Sequence, residues 1–239
     1  MTSRNFEGRI LRRRGMAHSS QAQVAFPVVV AIPAGRPARE KSMTVTAFEI
    51  GRTPVTNAGF APFLESHSVP PPPWWADPDF SDPSQPVVGV TWEEASLYCE
   101  WLSARDAATW RLPAEDEWER AMSGGAENPA TAWGDQVPPG EIPEGDLRGP
   151  WRVGLGTPNP YGVLDPGTVV HEWCLGWREP ETPAAPGSPP AIPRRASRGG
   201  SWRHRVRWSA PSARSSLPPH FRYSDYGFRV LRAVVEEPD

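Results

Sequence analysis

From Arg198 to Arg232 the chain reads RGGSWRHRVRWSAPSARSSLPPHFRYSDYGFRVLR, its densest mixture of side chains able to bind or to transfer protons. Gly199 and Gly200 supply the backbone freedom of a tight turn. Ser201-Trp202 is expected to open a strand, and Phe228 to Leu231 to form another. Between them stand Arg203, His204, Arg205, Arg207, Ser212, Ser215, His220, Phe221, Tyr223, Ser224, Asp225 and Tyr226. Arginine and aromatic side chains give large contact area at modest entropy cost, and serine gives adaptable hydrogen bonding. These residues are therefore the candidate ligand contacts. An ordinary surface loop in an Arg- and Pro-rich chain is the competing reading.

Short elements must position this stretch. The chain has 239 residues, of which 31 are Pro and 12 are Trp. So much proline predicts a loop-rich body with short strands and helices, and so much tryptophan predicts a core filled by aromatic packing. Residues 1–22 are basic and aperiodic and read as a disordered extension; residues 23–239 read as one domain. Val24–Ile32 and Met43–Ile50 read as strands. Thr56-Asn57 caps a helix that Pro62 keeps short. Thr91-Trp-Glu-Glu94 is a capping box, opening a helix with Ala95, Cys99 and Leu102 on one face. A further helix spans Ala114–Met122, with Asp116, Glu117 and Glu119 expected on a solvated face that complements its dipole.

The net charge of −3 gives no reason to expect nucleic acid or an anionic membrane as partner. No apolar run spans a bilayer, no signal peptide is read at the N-terminus, and a cytoplasmic protein is expected by default. Cys99 and Cys174 are the only cysteines, and each lies in an aromatic, apolar run, as inert buried thiols do.

Nine motifs in order carry a resemblance: Thr53-Pro-Val-Thr-Asn57, Pro86-Val-Val-Gly-Val-Thr-Trp-Glu-Glu94, Tyr98-Cys-Glu-Trp-Leu-Ser103, Arg111-Leu-Pro-Ala-Glu-Asp-Glu-Trp-Glu119, Trp133-Gly-Asp135, Asn159-Pro-Tyr-Gly162, Glu172-Trp-Cys174, Arg198-Gly-Gly-Ser-Trp202 and Gly227-Phe-Arg229. Residues 24–235 thereby resemble the formylglycine-generating-enzyme (sulfatase-modifying factor) domain. The resemblance implies an α+β, C-type-lectin-like fold with small antiparallel sheets, two short helices and long loops. Formylglycine generators carry two cysteines shortly after the Gly-Gly-Ser-aromatic turn, whereas Arg203–Arg214 contains none. Thiolate is the copper(I) ligand and exchange partner such chemistry requires, so the chain is expected not to be an enzyme.

The family's calcium loop corresponds to Asp165, Thr168, Val170 and Glu172, making a structural calcium the one cofactor expectation, with none required. The family pattern there is Gly-Asn-x-Trp-Glu-Trp; this chain has Thr168-Val-Val-His-Glu-Trp173. The alternative is a Glu172 paired with an arginine of 194–198. Arg229 is expected as a buried ion-pair anchor, and Trp202, Trp208, Phe228 and Val230 as scaffold.

The end of the chain also resembles the variable proteins of diversity-generating retroelements, whose hypervariable stretch lies between Gly-Gly-Ser-Trp and Gly-Phe-Arg-Val. Adenine-directed change of Asn-type codons yields no Lys, Glu, Gln or Met, and residues 203–228 contain none of these. Trp208 falls outside the accessible set and would be invariant. The function expected is non-catalytic binding of a protein or a cell- or virion-surface ligand through residues 203–226. A metal-dependent oxidoreductase with a non-cysteine site, using His171, Glu172 or His204, is the alternative.

Overall fold

The computed structural model describes residues 25–38, 44–134, 143, 147–178, 192–205 and 209–234. The expected extension over 1–22 lies outside them. Eight strands and three helices form among the described residues. The β-branched run supplies β1, Val29–Ile32, and the alternating run after it supplies β2, Phe48–Gly51. Both begin later than the sequence predicts, because the pairing that defines them starts at Val29 opposite Gly51 and ends at Ile32 opposite Phe48.

Helix α1, Asn57–His67, is capped by Thr56, whose Oγ1 accepts from the Gly59 amide at 3.1 Å. It carries Pro62 inside it and continues to His67. Phe60 and Phe63 on either side are buried, each worth about 1.5–3 kcal/mol on leaving water, against one helical hydrogen bond lost. Helix α2, Trp92–Ser103, carries both bonds of the capping box: Thr91 Oγ1 accepts from the Glu94 amide (3.1 Å) and Glu94 Oε2 from the Thr91 amide (3.0 Å). After the short β3, Trp110–Arg111, comes α3, Glu115–Met122. The family resemblance implied two helices; the described residues hold three.

Four later strands, β4 (His171–Arg178), β5 (Arg194–Arg198), β6 (Arg214–Leu217) and β7 (Tyr226–Gly227), make a second sheet. Its order is β6-β5-β4-β7, with β7 parallel to β4. The last strand, β8 (Leu231–Ala233), returns to the first sheet, ordered β1-β2-β8-β3. The chain thus crosses from one sheet to the other at Phe228, Arg229 and Val230, all fully buried.

Between α1, α2 and that crossing lies an aromatic cluster in which Phe60, Phe63, Tyr98, Trp101 and Phe228 pack with ring centroids 5.0–6.1 Å apart. Trp110, Trp118 and Trp173 are also buried, so aromatic bulk does fill the core. Helix α3 departs from expectation. Glu119 is fully buried and bonded to the equally buried Arg198 of β5, and Glu115, one turn earlier, lies 3.3 Å from the same guanidinium. Residues i and i+4 share a helix face, and this face meets β5 rather than solvent.

Candidate ligand-binding site

The site rests on one guanidinium. Arg229 donates from Nε and Nη2 to both Glu172 oxygens (2.6 and 2.8 Å), from Nη1 to the Gly51 carbonyl (2.9 Å) and from Nη2 to the Asp165 carbonyl (3.1 Å). Trp118 Nε1 donates to Glu172 Oε2 at 2.6 Å. Arg229 and Glu172 are wholly buried, so this pair joins β4, the end of β2 and the 164–165 loop in a dry interior. Arg229 is the expected anchor, but its partner is Glu172, while Arg198 of the 194–198 strand takes Glu119.

This arrangement does not fit the expected calcium. Both Glu172 oxygens already accept from donors, and the charge that a cation would supply is supplied by Arg229. Asp165 turns inward at a φ of 50°, and its Oδ2 accepts from the Gly154 amide at 2.5 Å. Burial pushes its carboxyl up from the ordinary 3.8 to about 6. The Thr168 hydroxyl is buried without a partner among the described residues. Among the described residues no three His, Cys, Asp or Glu side chains are grouped so as to hold a metal ion.

Above this frame the Gly-Gly segment turns. Gly199 has a φ of +78°, and a Cβ there would stand 2.8 Å from the Cα of Gly167. Only glycine fits so close an approach. The amides of Gly200, Trp202 and His204 then donate to the carbonyls of Gly167, Val169 and Ser201 at 2.8–2.9 Å. These bonds curl residues 201–204 into a turn instead of the predicted strand; the strand, β6, begins at Arg214. Trp202 points inward, while Arg203, His204 and Arg205 are exposed. Arg203 lies over the Trp202 ring at 4.4 Å and donates to Ser224 Oγ at 2.6 Å.

The second wall is the loop 218–225 between β6 and β7. Arg222 pins it by a two-pronged pair with Glu94 (2.6 and 2.7 Å) and a bond to the Gly89 carbonyl. His220, Phe221 and Tyr223 are left exposed. From them a file of rings runs inward and out again. The steps are His220–Phe221 4.9 Å, Phe221–Tyr223 6.3 Å, Tyr223–Tyr226 6.0 Å, Tyr226–His171 4.8 Å and His171–His204 5.3 Å. His171 Nδ1 lies 2.8 Å from the Gly199 carbonyl. A carbonyl only accepts, so Nδ1 carries the proton and Nε2 holds the lone pair. Burial lowers the His171 pKa, and nearby Asp225 opposes that shift.

The predicted contacts therefore divide. Arg203, His204, Arg205, His220, Phe221 and Tyr223 are exposed. Ser212 and Ser215 are half-buried, and Ser215 Oγ bonds the Tyr226 hydroxyl at 2.7 Å. Arg207 and Trp208 lie outside the described residues. Ser224, Asp225 and Tyr226 are buried and are not surface contacts. The parallel pairing draws them in: the Asp225 carbonyl accepts from the His171 amide (2.9 Å), Asp225 Oδ2 from Ser201 Oγ (3.1 Å), and Tyr226 packs on Trp173 at 5.2 Å.

Sequence reasoning missed a neighbouring feature. Arg195 lies between the rings of Trp92 (3.4 Å) and Trp177 (3.7 Å). The backbone joins this stack to the site, since the Trp92 amide donates to the Pro219 carbonyl at 2.9 Å. Nothing local in the sequence connects residues so far apart. Cys99 and Cys174 are buried as expected, and burial raises both thiol pKa values.

The sequence profile of the family described as "Sulfatase-modifying factor enzyme 1-like domain" matches residues 15–234, and the chain belongs to that family. Among its relatives is the serine/threonine-protein kinase pkn1 of Chlamydia pneumoniae, 34% identical over 62% of this chain and 24% of that protein. The formylglycine-generating enzyme of Streptomyces coelicolor is 28% identical over 76% of this chain and 77% of that protein. Hercynine oxygenase of Mycolicibacterium thermoresistibile is 32% identical over 77% of this chain and 49% of that protein. The chain thus spans about a quarter of the kinase and about half of the oxygenase.

Solved structures of similar fold include Treponema denticola variable protein 1 (TM-score 0.68, 22% identical, covering 86% of this chain and 95% of that one). The PvdO protein of Pseudomonas aeruginosa is another (TM-score 0.66, 22% identical, covering 87% and 95%). At that identity they establish the fold. The expectation that the chain is not an enzyme is overturned by its relatives, which are named as enzymes. Lack of one cysteine pair tests one chemistry, whereas the family hosts others.

Proposed function

We propose that the chain recognises a ligand through the face built by the 201–205 turn and the 218–223 loop, as the variable proteins of diversity-generating retroelements use theirs. The ligand is a protein or a cell- or virion-surface structure. One observation carries this reading: the division between exposed and buried residues within a single segment. Arg203, His204, Arg205, His220, Phe221 and Tyr223 reach solvent, while Ser201, Trp202 and residues 224–231 beneath them are buried. Such a face can change its side chains without touching those that hold the fold, which suits a display surface on a rigid scaffold.

The test is the DNA flanking the gene. A near-copy of the segment encoding Arg198–Val230, differing only where the copy has adenine and lying beside a reverse transcriptase, is the expected finding. Its absence would overturn the retroelement assignment.

The enzymes among the relatives favour a second reading, in which the same face holds a substrate and His171 and His204 act on it. Glu172 drops out of that set, because Arg229 and Trp118 occupy its oxygens. His171 Nε2 bonds none of the described residues and remains available. Stoichiometric copper or iron in the purified protein, lost on replacing His171 or His204 by Ala, would support a metal-dependent oxidoreductase. Metal-free protein from metal-replete cells would contradict it.

A further inference from the structure

The charge of the ligand can be inferred from where the arginines go, given the binding face proposed above. Residues 194–232 contain ten Arg and a single acidic residue, Asp225. Their formal charge is +9 in a chain of net −3, so the remainder carries −12. Folding pairs four of these arginines, at 2.9 Å or closer, with carboxylates from elsewhere. Arg198 pairs with Glu119, Arg229 with Glu172, Arg222 with Glu94 and Arg232 with Glu49, and Arg214 lies 3.8 Å from Glu119.

In the turn, Arg203 and Arg205 stay exposed, although Arg203 also donates to Ser224 Oγ at 2.6 Å. The Arg203 side chain is 50% exposed and comes no closer than 3.6 Å to Asp225, whose oxygen also accepts from Ser201. Arg205 is exposed and makes no ion pair among the described residues. His204 lies exposed between them, at the end of the ring file.

We propose that this corner receives a carboxylate-rich segment of a partner protein, its acids on Arg203 and Arg205 and its apolar side chains against Phe221 and Tyr223. Arginine suits this task because its planar donors match a carboxylate. A nucleic acid fits less well: a long polyanion would run off the small cationic corner onto the acidic remainder, whose field extends about 8 Å at physiological salt. A short acidic segment ends before it gets there.

Fluorescence anisotropy on the full chain tests this with three labelled probes. They are a peptide of alternating Glu and Tyr, the same peptide with Gln for Glu, and an oligothymidylate of equal length. The Glu peptide should bind about tenfold more tightly than the Gln peptide, with the advantage shrinking as salt is raised. The double variant Arg203→Gln/Arg205→Gln should lose that advantage at an unchanged melting temperature. Arg152→Gln, which removes an exposed arginine paired with Asp82, should keep it.

Equal binding of the Glu and Gln peptides, no binding of the Glu peptide, an advantage that survives in the double variant, or an oligothymidylate bound as tightly as the acidic peptide would each overturn the proposal. The binding face itself fails by a different sign: Phe221→Ala/Tyr223→Ala binding both peptides as well as the parent does.

Discussion

Tyr223 and Tyr226 stand three residues apart and have opposite duties. Tyr223 is 45% exposed, whereas Tyr226 is 6% exposed and packs on Trp173. Tyr226→Ala should therefore cost about 3–5 kcal/mol in urea unfolding, as aromatic truncations in cores do, and Tyr223→Ala no more than about 0.5 kcal/mol. Glu172→Gln leaves Arg229 charged, buried and unpaired; a loss of about 3–5 kcal/mol is expected. Asp165 makes a pH prediction. Its folded pKa is raised to about 6, so its stabilising contribution is complete below pH ~4 and disappears as pH rises through ~6. His171, with a lowered pKa, works in the opposite sense, so the informative quantity is a difference. Unfolding free energy of the parent minus that of Asp165→Asn should fall between pH 4 and 7. Asparagine tolerates the positive φ that Asp165 adopts, and a flat difference would mean that the carboxyl is solvated.

Elements differ in how much their sequences disclosed. The capping box at Thr91 was legible because both its bonds are local, and Thr91→Ala should cost about 1 kcal/mol, read as a fall in melting temperature with the site intact. Helix α3 was legible in extent but not in facing. Its acids at 115, 116, 117 and 119 fit a solvated end, and only the approach of Arg198 from β5 turns Glu115 and Glu119 inward. Helix α1 was expected to be short because of Pro62, and it runs for 11 residues with Pro62 inside it: burial of Phe60 and Phe63 outweighs one missing amide. The strand expected at Ser201 became a turn because its amides find carbonyls of the 167–169 loop, a partner that local pattern does not announce. The stack of Arg195 between Trp92 and Trp177 is likewise a product of tertiary approach.

At the scale of the whole molecule, nine ordered motifs disclosed the family and the fold. Many of their residues are the buried or turn positions that make the frame: Arg198, Gly199, Glu172, Trp173, Phe228 and Arg229. The proposed display face was legible only as a segment. Dividing it into contacts and supports required the two-residue parallel pairing of β7 with β4, which buries Ser224, Asp225 and Tyr226 within a composition that otherwise looks uniform. The most direct measurement is to randomise Arg203, His204, Arg205, His220, Phe221 and Tyr223 together in a displayed library, with a matched library at residues 224–226. A true display face predicts that most members of the first library melt within a few degrees of the parent and yield binders to new protein targets, while the second library is largely unfolded. Widespread unfolding in the first library, or equal tolerance in both, would contradict it.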